Sequence, residues 1–272
     1  MSTLVSRRHE AKLTRRYGST MILQHYPDYF WLTAVIAILV VGLSKAGFGG
    51  GVGAVSTPLL ALTIPVPEAA ALLLPLLILA DLFALRYYRH YYDRYSVGWL
   101  LPGGLVGILL GSLFFRYFSA NEHVLKVGIG VISLLFIAYQ GGRHWLTKRL
   151  EGRQPSPASG IGFGFAAGFA STLAHVGGPP ITMFLLPQKL PRQVFVGSTL
   201  VFITIVNLVK LIPYSLLGLL RIGNISTTLI LAPLVFVGIQ LGVYLNKHFS
   251  DVWFNRVIYA LLLVTAVHLI LG

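Results

Sequence analysis

The chain has 272 residues, 56% of them hydrophobic and 11% charged, with a net charge of +13 and no cysteine. A soluble domain carries about 25% charged residues, so the composition excludes an ordinary soluble protein and indicates a polytopic membrane protein. Without cysteine there is neither a disulfide framework nor a thiolate metal site. The basic residues sit in loops and a tail, not on one soluble face, which argues against nucleic acid and for positive-inside topology with attraction to anionic lipid.

Residues 1–28 form a basic tail, with Arg7, Arg8, Lys12, Arg15 and Arg16 against Glu10. They contain no apolar core followed by a small-residue cleavage site, so they are not a secretory signal. The expectation is a cytoplasmic tail, with Met21 as a second candidate start. Apolar runs follow at about 29–43, 53–63, 68–86, 97–115, 124–140, 158–173, 180–187, 193–212, 226–245 and 253–271. A full crossing needs roughly 20 residues. The pairs 29–43/53–63 and 158–173/180–187 fall short, and each pair is interrupted by Gly or Pro at a corresponding place. Paired interruptions of this kind are a pointer to a transporter binding site.

The two halves carry an internal repeat. Pro102, Gly107, Gly111, Phe118 and Ser119 match Pro233, Gly238, Gly242, Phe249 and Ser250 at one constant interval, and Arg116 matches Lys247 at the same interval. Earlier in each half the interval is shorter: Gly42 pairs with Gly168 and Pro67 with Pro191. The predicted fold is therefore all-α, with membrane repeat 1 over 29–140, a basic cytoplasmic linker over 141–157 and membrane repeat 2 over 158–272. Each repeat has about four crossings, its first helix broken by a Gly/Pro-rich stretch. A basic tail and a basic linker on the same side require an even number of crossings between them. That favours parallel halves and eight crossings, each interrupted pair crossing once; ten crossings with inverted halves is the alternative.

The first interruption is Gly42-Leu-Ser-Lys-Ala-Gly-Phe-Gly-Gly-Gly51, with five glycines. Each glycine costs a helix about 1 kcal/mol relative to Ala, and irregular backbone at membrane depth survives only where protein or a water-filled cavity covers it. The second is Gly168-Phe-Ala-Ser-Thr-Leu-Ala-His175-Val-Gly177-Gly178-Pro179-Pro180. A helix restarting after each break turns unpaired N–H groups and a positive dipole end into the membrane, which suits an anion. The candidate binding residues are Lys45, Gly47, Gly49, Gly50, Gly51, His175, Gly177, Gly178 and Pro179. Lys45 adds a full charge that costs about 2.5–3.5 kcal/mol in a membrane helix. The competing reading is close glycine packing with Lys45 snorkelling to an interface, and a His175 satisfied by a backbone carbonyl.

Asp81 lies inside the run 68–86, and Asn207 holds a similar place in the second half. A buried acid in a transporter can carry a coupling proton; the alternative is a structural pairing of Asp81 with Lys45 or Arg86. Gly107/Gly111 and Gly238/Gly242 read as close-packing faces. The tyrosines at 87, 88, 91, 92 and 95, and the tryptophans at 31, 99, 145 and 253, read as interfacial anchors. No metal-ligand spacing, Ser/His/Asp arrangement or phosphate loop is visible, so neither a catalytic residue, a metal nor a cofactor is expected and an enzyme is disfavoured.

Gly47-Phe-Gly-Gly-Gly-Val-Gly53 followed by Pro58-Leu-Leu, with Gly177-Gly178-Pro179-Pro180 in the second half, resembles the two signatures of the TauE/SafE family of sulfite and organosulfonate exporters. The duplicated architecture covers about residues 29–271. The resemblance implies a multi-pass inner-membrane permease for a small sulfur-containing anion, with export as the direction and lipid as the other partner, and it allows a homodimer. An anion channel with the same lining, or an uptake permease for a sulfur oxyanion, are the alternatives. An intramembrane enzyme or scaffold lacks a supporting constellation.

Overall fold

The computed structural model describes residues 26–45, 52–118, 120–150, 156–220, 222–248 and 251–272. Ten α-helices lie among them: α1 (Asp28–Lys45), α2 (Ser56–Leu60, entered through a 3-10 turn, Val52–Val55), α3 (Val66–Tyr88), α4 (Arg94–Phe118), α5 (Glu122–Leu150), α6 (Pro157–Ala174), α7 (Gly178–Leu185, followed by a 3-10 turn, Leu186–Gln188), α8 (Arg192–Leu216), α9 (Ile222–His248) and α10 (Asp251–Leu271). No strand occurs among the described residues. Five helices contain stretches long and apolar enough to cross a membrane: Val66–Tyr88, Arg94–Phe118, Glu122–Gly142, Arg192–Leu216 and Ser226–Leu245. The protein is an all-α polytopic membrane protein.

Local chemistry sets the helix ends. Ser156 caps α6 in a reciprocal box with Ser159, and Pro157 opens its first turn, where the missing N–H costs nothing. Pro67 and Glu68 open α3, the acid lying at the positive dipole end. The Tyr26 hydroxyl donates to Glu68 Oε1 at 3.2 Å and its ring stacks on Phe30. Burial, with the Glu68 carboxylate beside it, pushes that hydroxyl well above its ordinary titration range, so it stays a donor. Pro102 and Pro233 both sit inside long helices, as membrane helices admit more readily than soluble ones.

The two interrupted stretches do not run straight through. Ser56 Oγ donates to the Ala37 carbonyl at 2.9 Å, and the hydroxyls of Thr33 and Thr63 lie 3.2 Å apart. Residue numbers rise on one arm as they fall on the other, so α1 and the 52–63 segment form a helical hairpin. The second break does the same. Gly177 sits against Ala167 and Ser171, and Gly160 against Phe184, so α7 folds back along α6. The expected single broken crossing is thus corrected to a down-and-back pair in each half. Small residues make the reversal possible, because only they let the returning arm approach its partner closely.

Helix directions follow from register. Asp81 meets Asn207, while Asp93 N donates to Ser198 Oγ at 2.8 Å. Moving down α3 therefore means moving back along α8, and the two run antiparallel. Phe136 packs on Tyr259 and Gly130 on Ala266 and Ile270, so α5 and α10 are antiparallel as well. These are the helices that correspond by order in the two series α1–α5 and α6–α10. Corresponding helices that oppose each other do not fit the parallel halves expected from charge; they fit inverted ones. Residue 28 starts at one end of the bundle and α5 finishes at the other, which the expectation of four crossings between them does not fit.

The pairs of small residues identified in the sequence line two equivalent seams. A Cβ on Gly107 would lie 2.3 Å from the Phe165 carbonyl oxygen, and one on Gly168 2.1 Å from that of Gly104. In the other half a Cβ on Gly238 would lie 2.6 Å from the Leu39 carbonyl oxygen, and one on Gly42 2.4 Å from that of Val235. Thus α4 packs on α6, and α9 on α1: each half lends its fourth helix to the first helix of the other. The hairpins are thereby clamped between halves, with α3 and α8 crossing at the centre.

Candidate functional site

The centre holds charge. Asp81, on α3, is fully buried. Its Oδ1 accepts from Lys45 Nζ at the last turn of α1, and its Oδ2 accepts from Asn207 Nδ2 on α8 at 2.7 Å. One turn further along α8 stands Lys210, also fully buried. Lys210 Nζ donates to the Ser171 carbonyl at 3.0 Å and to Ser171 Oγ at 3.0 Å, and lies 2.9 Å from His175 Nδ1. The far ring nitrogen, His175 Nε2, lies 2.9 Å from the Ala70 carbonyl on α3. Asp81 and Lys45 are within electrostatic reach of Lys210. A polar chain thus runs from the end of α1 through α3 and α8 to the tip of the second hairpin.

The second tip owes its shape to residue type. α6 ends at Ala174, and His175 takes a left-handed backbone conformation, φ 56°. A side chain there costs of order 1–3 kcal/mol and persists only when its surroundings fix it; His175 is fixed at both ring nitrogens. Tyr214 OH donates to the Thr172 carbonyl at 2.6 Å, satisfying a helix-end acceptor that would otherwise be bare. Gly177 precedes α7, and Gly178, Pro179 and Pro180 form its first turn. Pro179 and Pro180 have no N–H, so they pre-set the turn while Gly177, Gly178 and Ile181 carry its amide donors.

The structure brings together Lys45, Asp81, Asn207 and His175, four of the residues singled out in the sequence. Gly177, Gly178 and Pro179 adjoin them at the second tip. Gly47, Gly49, Gly50 and Gly51 lie outside the described residues. Beyond them the chain resumes as a single 3-10 turn and a five-residue helix, too few aligned peptides for a strong dipole. Of the two pairings named for Asp81, with Lys45 or with Arg86, the one with Lys45 is present. His175 has its carbonyl partner and a lysine besides. In the return arm Thr57 Oγ1 is buried without a hydrogen-bond partner among the described residues.

Lys210, Ser171 and Tyr214 were missed by sequence reasoning. Lys210 had a usable signal. It is a charge inside the apolar run 193–212, and the insertion cost that drew attention to Lys45 applies to it equally. Ser171 and Tyr214 carried none, since single hydroxyls in membrane helices mostly bond their own backbone. No group of three or more potential metal ligands occurs among the described residues.

An all-helical bundle with paired hairpins, exchanged helices and charge buried where the halves meet has the build of a membrane transporter. A family model, Sulfite exporter TauE/SafE, matches residues 34–269. The chain belongs to that family, a membrane transporter family and not an enzyme family. No curated protein and no solved structure matches the chain.

Proposed function

We propose that the protein is a secondary transporter of the cell's inner membrane that exports a small sulfur-containing anion, sulfite or an organosulfonate, bound between the two hairpin tips. The observation that carries this reading is a pair of lysines inside the helical bundle. Lys210 is fully buried and Lys45 largely so, with a single carboxylate, Asp81, among them. A buried charge without its counter-charge costs several kcal/mol, and a transporter whose cargo is an anion recovers that cost on loading. Backbone donors of Gly177 and Gly178 then supply charge-assisted hydrogen bonds to an oxyanion. An inside-negative potential favours outward movement by about 2.3 kcal/mol per charge per 100 mV.

Within this reading the two inverted halves rock about the α3–α8 crossing, exposing the cluster to each side in turn. Asp81 holds Lys45 in place when no cargo is bound, and Asn207 ties that carboxylate to the other half. The test is sulfite flux in proteoliposomes. Lys45→Ala should lower the rate or the affinity while the protein stays folded. Wild-type flux and affinity in that variant would remove the site from where we put it.

A further inference from the structure

We infer that the central cluster takes a singly charged anion, and that Lys210 rather than Lys45 supplies the charge the anion neutralises. This rests on the cluster being the anion site. Three acceptors surround Lys210 Nζ, namely the Ser171 carbonyl, Ser171 Oγ and His175 Nδ1. An ammonium group has three protons and no lone pair, so the geometry fits the charged form. Each of the three partners is neutral. With Lys210 as the donor, His175 is neutral: its Nδ1 accepts, which leaves the ring proton on Nε2 to donate to the Ala70 carbonyl, and moving the proton from Lys210 to His175 leaves the count of one positive charge unchanged.

Lys45 is different, since its charge is matched by Asp81. The second oxygen of Asp81 is held by Asn207, so the carboxylate is committed on both sides. Asp28 and Asp251 stand at the first residues of α1 and α10, and three further carboxylates are engaged elsewhere. Glu68 accepts from Tyr26 at the start of α3, more than three turns from Asp81 at 3.6 residues per turn. Asp93 accepts from the Ser96 N–H at the start of α4, and Glu122 pairs with Lys126. Among the described residues, two ammonium groups therefore face one carboxylate, leaving a single positive charge. A monoanion cancels it. A dianion leaves one negative charge in the same buried place, and a zwitterion leaves the positive charge standing. The site should prefer hydrogensulfite or an alkanesulfonate to sulfate and other dianions, a selectivity set by counting charges and not by shape.

The experiment uses the full-length protein in detergent at fixed ionic strength, with binding read from the shift in unfolding temperature as anion is added. The probes are methanesulfonate, a monoanion, and sulfate, a dianion. Wild-type protein should bind methanesulfonate at least about tenfold more tightly than sulfate, because one uncancelled charge at contact distance in a buried site outweighs a change of that size. Asp81→Asn adds a second uncancelled positive charge and should swing the ratio toward sulfate by about tenfold or more. Lys210→Met should abolish the methanesulfonate shift, and Lys210→Met in the Asp81→Asn background should restore it. Equal binding of both anions by wild type, or a ratio unmoved by Asp81→Asn, overturns the inference. If a variant fails to fold, the wild-type ratio decides alone. If wild type binds neither these probes nor sulfite, the anion-site reading itself is what fails.

Discussion

Gly168→Ala is the sharpest test of how the halves are joined. Gly168 lies on α6 with Gly104 of α4 directly opposite. A Cβ built there would stand 2.1 Å from the Gly104 carbonyl oxygen and 2.9 Å from its Cα, and real Cβ atoms essentially never approach within 3.0 Å of such neighbours. The obstacle is backbone, so it cannot swing away as a side chain would. The helices must part by about 1 Å along a seam packed at interior density. Overpacking of this kind costs about 1–3 kcal/mol. Gly162 supplies the control. It lies on the same helix with nothing within 4 Å of its would-be Cβ, so Gly162→Ala should be neutral or gain up to about 1 kcal/mol from better helix propensity. The assay is apparent unfolding temperature of the two variants in one detergent. Equal midpoints would refute the seam. The equivalent substitution in the other half, Gly42→Ala, meets Val235 O at 2.4 Å and should behave as Gly168→Ala does.

Asp81→Ala leaves the largely buried Lys45 without its partner and Asn207 without its acceptor, and should cost up to about 3 kcal/mol, read as a lowered unfolding midpoint that a second change, Lys45→Met, partly recovers. Tyr214→Phe deletes the bond to the Thr172 carbonyl and should cost about 1 kcal/mol in the same assay, with sulfite flux reduced because the second hairpin tip loosens. Cysteines introduced singly at Lys148 and Ala120 should be labelled from opposite sides of the membrane, since α5 runs between them. The end bearing Arg86, Arg89, Arg94, Lys148, Lys189 and Arg192 should be cytoplasmic by the positive-inside rule. Labelling of both positions from one side would contradict the crossing by α5.

Much of the architecture was legible in the sequence because membrane helices advertise themselves through apolar length. The helices, the two interruptions and the matched glycines were all readable there, and Gly107 and Gly238 do sit at close helix contacts. The reversal at each interruption was not legible. A Gly/Pro break is compatible with a kinked crossing or a hairpin, and only cross-arm contacts such as Ser56 with Ala37 separate the two. Direction was misread for a related reason. Basic residues in the tail and the linker were both counted as cytoplasmic, yet residue 28 and the end of α5 lie at opposite ends of the bundle. Half of the candidate site was found from lone charges and breaks. Lys210 carried the same kind of signal as Lys45 but stood outside any break. Its importance comes from a lysine side chain reaching another helix, which periodicity does not report.

The most direct measurement of the central claim is the position of a bound oxyanion. Selenite has the shape of sulfite and carries a strong anomalous scatterer, so crystals of the full chain grown with it would show the anion unambiguously. The account predicts an anomalous peak within hydrogen-bond distance of Lys210 Nζ or Lys45 Nζ, beside the second hairpin tip at Gly177 and Gly178. A well-occupied peak elsewhere in the membrane bundle, with this cluster unvisited, would contradict it.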